Sequence, residues 1–325
     1  MNIGKSIFSF RSIFSFTSVS LRPQLACEIT QAGVVAARPG TGDQQILSAF
    51  AHLRPGSFTP GLKTPLFPDR GAVSSAIRQA LGEVGLRDTK ITMIVPDTSV
   101  RVLLLDFDTL PSKAADIPPI VRFRLRKLVP FEVEDAAISY QAMPSNDGLT
   151  RLLVAVSPAS VVSEYEGVVR EAGYDPGAVL PSTLAALAAL HDDEPSLVVN
   201  RNGHSVTTAI ARQNELLLHR TLEFAGSEFL DSRPAERERL LTEQWDQSLE
   251  ELRQSVSVAV AYFEDTLSVP PRQLLCCGLG GAEDLVDLLG DSSIPARDLA
   301  PASATGNTIS MPRGLLAGVL GALAS

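Results

Sequence analysis

From residue 25 onward, short apolar runs alternate with segments whose apolar residues recur at helical spacing. Residues 25–30 and 34–38 read as a strand pair turned around Gly33, and 45–53 adds a third strand. The stretch 54–69, rich in Pro and Gly, is a loop. Val73, Ile77, Leu81 and Val84 then step along one helix face, with Gly85 as its stop. Residues 91–95 and 102–107 predict buried strands. Residues 120–128 predict a short basic helix entered through Pro118 and Pro119, where proline suits a first turn. A strand pair over 133–143 and 151–157 flanks the polar turn 145–148. A helix over 160–172 ends at Gly173, and an alanine- and leucine-rich helix over 181–190 runs into an acidic hinge at 191–195.

The pattern then restarts. Residues 196–200, 206–211 and 215–223 read as three strands, with turns at Asn202-Gly203 and at Gln213-Asn214. Leu241, Trp245, Leu249, Leu252, Val256, Val260 and Phe263 step by three or four and make one core-facing helical stripe. A buried strand over 273–277 leads into Gly278-Leu279-Gly280-Gly281 and a helix over 282–289, and a small apolar helix spans 313–323. A three-strand meander followed by helices thus occurs twice. The predicted organisation is a leader (1–22), a first half (23–192) with an inserted subdomain over about 86–157, and a second half (193–325).

Composition narrows the class. With 325 residues, 45% hydrophobic and 20% charged, the chain can bury a core without disulfides or a structural metal. Cys27, Cys276 and Cys277 form no framework, which points to a reducing compartment, and the adjacent pair reads as core packing ahead of a redox pair. A net charge of −9 argues against bulk nucleic-acid binding. No apolar run reaches the roughly 20 residues of a membrane span, so the chain reads as soluble. In the leader, Lys5, Arg11 and Arg22 interleave with Phe8, Phe10, Phe14 and Phe16. It reads as a loose segment dispensable for folding, with a lipid-surface role as the alternative. The four histidines lack ligand spacing, and no G-x-x-x-x-G-K-[ST], G-x-S-x-G or H-E-x-x-H run occurs. Arg122, Arg124, Arg126 and Lys127 form a basic cluster, read either as a solvated helix face or as a docking face for an acidic lipid or partner segment.

The run from Arg122 to Phe131, with its Val129-Pro130-Phe131 turn, then Glu132 to Asp135 and Ile138-Ser139-Tyr140-Gln141, resembles the type IV pilus assembly protein PilM family. The strand ending at Pro96, the run Leu152 to Val156, the helix exit Glu171 to Gly177 and the Leu274 to Gly281 turn extend the resemblance over about 22–323. It implies an α/β, actin-like (ribonuclease H-like) duplicated fold with an inserted small subdomain. It also implies a cytoplasmic protein, peripheral at the inner membrane, that grips the cytoplasmic tail of the membrane protein PilN alongside other pilus platform proteins. The implied partner residues are Arg122, Arg124, Arg126, Pro130, Phe131 and Tyr140.

An actin-like nucleotide site uses two hairpin turns around the phosphates, each with a carboxylate for hydrated magnesium, and a glycine-rich turn against adenosine. The matching positions are Glu28, Thr30 and Gln31 in the first turn, Asn200, Asn202, Gly203 and His204 in the second, and Gly278, Gly280 and Gly281 in the third. Thr30 stands where glycine would admit a phosphate, and Asn200 removes the second carboxylate. The expectation is an adaptor without ATP hydrolysis and with no assigned catalytic or metal-binding residue, in which ATP with Mg²⁺ remains an open ligand. The alternatives are an active ATPase that switches or polymerises with nucleotide, and the cytoplasmic module of a type II secretion platform.

Overall fold

The computed structural model describes residues 23–40, 46–85, 88–143, 148–190, 194–213, 215–224, 234–290, 294–301, 311 and 313–324. The predicted leader, most of the 145–148 turn, residues 191–193 of the 191–195 hinge, Asn214 and the Leu241 and Trp245 side chains lie outside that description. The first half contains β1 (Ala26–Ile29), β2 (Gly33–Pro39), β3 (Ile46–His52), α1 (Arg70–Val84), β4 (Lys90–Val95), β5 (Arg101–Phe107), α2 (Ile117–Leu125), β6 (Ala137–Met143), β7 (Thr150–Ser157), α3 (Ala159–Glu171), β8 (Asp175–Pro181) and α4 (Ser182–Leu187). The second contains β9 (Ser196–Asn202), β10 (Ser205–Arg212), β11 (Glu215–Glu223), α5 (Pro234–Leu267), β12 (Leu274–Gly278), α6 (Ala282–Leu289), β13 (Ala296–Asp298) and α7 (Leu316–Ala324).

Two five-stranded sheets repeat one order, β3-β2-β1-β4-β8 and β11-β10-β9-β12-β13. In each, the first three strands form an antiparallel meander and the last two add in parallel. Parallel addition needs a long crossover, and α1 and α5 supply it. Helix α1 forms where the sequence marks it. The Asp69 side chain accepts from the Ala72 N–H at its start, Gly85 closes it at φ 62°, and Val73, Ile77, Leu81 and Val84 face the core. This doubled meander-plus-crossover unit is the actin-like fold.

A separate three-stranded sheet, β5-β7-β6, is inserted between β4 and β8. Alternation along β7 gives it two faces. Leu152, Val154 and Val156 pack with Val121 and Leu125 of α2, while Leu153 and Ala155 join the main core, to which both halves contribute. Strand β4 pairs with β1 and β8. The inserted sheet therefore starts at Arg101, later than the residue 86 suggested by sequence.

Four elements depart from the sequence reading. Helix α2 starts at Ile117 and carries its prolines within the first turn. The strand expected from 133 starts at Ala137, because Arg122 draws the carbonyls of Val133, Glu134 and Ala136 to its guanidinium. Strand β8 was not anticipated, since Asp175-Pro176-Gly177 reads as a turn. It lies at the sheet edge, where Pro176 removes no required ladder donor. Strand β13 is only three residues long and was also missed.

Helix α7 crosses back from the second half onto the first. Leu316, Val319 and Leu320 pack with Val35, Ile94, Leu180 and Ala185. A Cβ at Gly321 would overlap the Ala185 carbonyl oxygen, so glycine is what lets α7 and α4 approach closely. Among the described residues, no helix is long and apolar enough to cross a membrane.

Candidate functional site

The two hairpin turns and the glycine-rich turn converge where β1, β9 and β12 end, at the junction of the halves. The first turn closes on itself. Thr30 N–H donates to the Gly33 carbonyl (2.9 Å), as does the Thr30 hydroxyl (2.8 Å), and Gly33 N–H returns to Thr30 (3.2 Å to Oγ1). Thr30 is buried, and these donors are spent inside the turn. In the second turn the left-handed position is Gly203 (φ 59°), one residue beyond the place the family pattern implies, while Asn202 stays extended in β9. A Cβ at Gly203 would overlap Gln31 Oε1, so the two hairpin tips touch through the Gln31 side chain. His204 is exposed at the same tip.

The glycine-rich turn keeps positive φ at Gly278 (84°) and Gly280 (78°), and Gly281 opens α6. Here too the chain packs against itself. The Gly278 Cα abuts Arg201 and Asn200, the Arg201 guanidinium lies over Gly280, and Gly314 sits on the Gly278 and Gly280 carbonyls. Arg201 Nη1 is buried without a hydrogen bond, and burial lowers its pKa, partly offset by the Asp284 charge. A pocket of ≈ 210 Å³ opens between Arg201, Gly203 and His204 on one side and Leu249, Leu252 and Leu288 on the other.

Between the halves lies a buried polar network that sequence reasoning found only at its two ends, Glu28 and Asn200. The Ser182 hydroxyl donates to Glu28 (2.6 Å), and Thr183 donates to Asp97 through its N–H (3.1 Å) and its hydroxyl. The Asn200 amide nitrogen reaches Asp97 Oδ2 (3.3 Å), Ser182 Oγ (3.0 Å) and Thr183 Oγ1 (2.9 Å). That orientation is the one that gives the Asp97 carboxylate a donor. His219 Nε2 lies 3.8 Å from Asp97 Oδ1. One asparagine thus ties β9 of the second half to α4 and to the turn after β4 in the first.

Burial raises the Glu28 pKa to about 7, against the opposing pull of the Ser182 hydrogen bond, and the Asp97 charge adds to the rise. Burial lowers the pKa of His219, partly offset by Asp97. The Cys27, Cys276 and Cys277 thiols are all held up by burial, Cys276 to about 12, so they are inert thiols in the core. Among the described residues, no group of three His, Cys, Asp or Glu is placed to hold a metal. Asp97, Ser182, Thr183 and His219 were missed by sequence. A signal existed for Asp97, a carboxylate set directly after the C-terminal end of a buried parallel strand.

The predicted partner residues gather around α2. Arg122 donates to three backbone carbonyls, at 3.0 Å to Glu134 and 3.2 Å to Ala136, with Val133 as the third. Arg126 pairs with Glu134 (2.6 Å). Arg124 donates to the Asp106 carbonyl (3.3 Å) and lies over the Phe107 ring, 5.5 Å from its centroid. Pro130 is exposed, Phe131 packs half-buried on the subdomain core, and the Tyr140 hydroxyl reaches the Ala114 carbonyl (3.5 Å). The outer edge of β6 has no strand partner among the described residues.

No protein-family model matches the sequence, and no curated protein matches it. Solved structures do. A chain of a "PilM-PilN type IV pilus biogenesis complex" overlays with TM-score 0.69 at 19% identity, covering 93% of this chain and 98% of that one. Looser overlays include the cytoplasmic domain of EpsL, an inner-membrane component of the type II secretion system of Vibrio cholerae. Its TM-score is 0.47 at 11% identity, with 93% and 94% coverage. A Bacteroides thetaiotaomicron protein with an actin-like ATPase fold gives TM-score 0.49 at 9% identity, with 92% and 94% coverage. The chain has the actin-like fold, and over 93% of its length it shares that fold with a chain of the PilM–PilN complex.

Proposed function

We propose that this chain is an actin-like adaptor of a type IV pilus assembly platform. It works without ATP hydrolysis at the cytoplasmic face of the inner membrane and binds the cytoplasmic tail of a PilN-like membrane protein. The likeness over nearly the full length of both chains to a chain of a PilM–PilN complex supports the choice of machine. The observation that carries the non-catalytic part is the Gln31 side chain against Gly203. The gap between the hairpins, which a phosphate would have to enter, is taken up by the protein's own side chain. Asn200 supports the same reading, because its amide adds no negative charge for Mg²⁺ and its donors are already engaged. The unpaired β6 edge, which carries Tyr140, offers backbone hydrogen bonds to an extended tail. The intact glycine turn and the Glu28 carboxylate favour a second reading, a nucleotide-responsive switch.

Two measurements test the proposal. Phosphate release with Mg-ATP is expected to stay at the blank rate, and turnover abolished by Glu28→Ala would overturn the non-catalytic part. Calorimetry with a synthetic PilN-like tail is expected to show binding by the wild-type chain. No heat of binding by the wild-type chain would overturn the adaptor part.

A further inference from the structure

The outer side of α2 is unusually apolar. Of the described large hydrophobic residues left exposed, three fall within nine positions of each other: Ile120 (37%), Phe123 (66%) and Leu128 (50%). Helical winding continues past Leu125, since Leu128 N–H donates to the Leu125 carbonyl at 2.9 Å. At roughly 100° per residue, Ile120, Phe123, Arg124 and Lys127 share an arc of about 100°. The opposite flank carries Arg122 and Arg126, which hold the acidic run Glu132 to Asp135 through the Glu134 carbonyl and carboxylate. The Glu134 carboxylate is thereby held on the other side of the helix, and the outward arc carries two cations, Arg124 and Lys127, against one carboxylate, that of Asp116 at the start of the helix. Helix α2 also covers the face of the small sheet opposite the main core, so this arc points away from the body.

We infer that this α2 arc docks on an anionic lipid surface. The alternating apolar and cationic side chains suit an interfacial helix, with Phe123, Ile120 and Leu128 entering the headgroup boundary and Lys127 and Arg124 meeting lipid phosphates. The arc is convex, so it offers no groove to an extended peptide. Three apolar side chains also fall well short of the roughly 800 Å² per partner of a stable protein interface. A weak lipid contact needs less area, and it becomes useful as a second attachment beside a membrane-anchored partner. In that last respect alone the inference rests on the adaptor reading. The following test contains no partner tail, so its failure leaves that reading to its own calorimetry.

The experiment is flotation of the full chain with vesicles of phosphatidylcholine alone or mixed equally with phosphatidylglycerol. The wild-type chain is expected to float with the anionic vesicles only, and less at high salt. Phe123→Glu and Lys127→Glu, both at solvent-facing positions, are each expected to cut binding about tenfold without lowering the melting temperature. If Phe123→Glu fails to fold, Lys127→Glu decides. Absence of flotation, or flotation that neither variant weakens, would overturn the inference. So would a wild-type dimer that Phe123→Glu dissociates, since the arc would then belong to a second copy of the chain.

Discussion

Glu28 makes stability depend on pH in a direction unusual for a carboxylate. Its folded pKa of about 7 lies above the ordinary 4.5, so the folded state holds the proton more tightly than the unfolded one. The sign follows from linkage. Stability from this group is complete below about pH 4.5 and is lost as pH rises through about 7. The full shift corresponds to about 3 kcal/mol, of which about 2 kcal/mol falls between pH 5.5 and pH 8. His219 acts oppositely, because its lowered pKa withdraws stability as pH falls below its ordinary 6.5. A wild-type curve therefore mixes both effects, and the comparison with Glu28→Gln separates them. Glutamine keeps an oxygen for the Ser182 hydroxyl and cannot ionise. Urea denaturation of both proteins at pH 5.5 and pH 8 should show the stability difference, wild type minus variant, falling by about 2 kcal/mol toward high pH. A difference that stays flat across that range would refute the reasoning and mean that water reaches Glu28.

Asn200→Asp sets a third carboxylate beside Asp97 and Glu28 and removes the donor to Asp97, so it should cost about 3–5 kcal/mol at pH 8 by urea denaturation. Gly321→Val drives a side chain into the Ala185 carbonyl and should cost about 2–3 kcal/mol, read as a lower melting temperature; unchanged melting would show that α4 and α7 are not tightly packed. Tyr165→Phe removes a buried hydroxyl paired with Ser99 at 2.8 Å and should cost about 1–2 kcal/mol in the same denaturation assay. Finally, Cys27, Cys276 and Cys277 should resist a thiol reagent at pH 8 until denaturant is added, since burial keeps all three protonated.

Local pattern carried the elements and their repetition. Short apolar runs mark β1, β2, β9 and β10, three-and-four spacing marks α1, and Gly85 and Gly203 mark ends where positive φ is needed. These signals are legible because each depends on residues within a few positions of one another. Strand β8 was not legible, because its pairing with β4 lies far away in sequence while its Asp-Pro-Gly start reads locally as a turn. The same limit hid most of the junction network. Glu28 and Asn200 could be placed by their hairpins, but their partners arrive from elsewhere: Asp97 from the end of β4, Ser182 and Thr183 from α4, and His219 from β11. Sequence could show that Asn200 lacks a charge. Only the tertiary structure shows that its amide is the tie between the halves and that the Gln31 side chain meets Gly203 across the two hairpins. Both effects come from side chains that meet across the fold, where burial and hydrogen bonding are set by packing and not by neighbours in the chain.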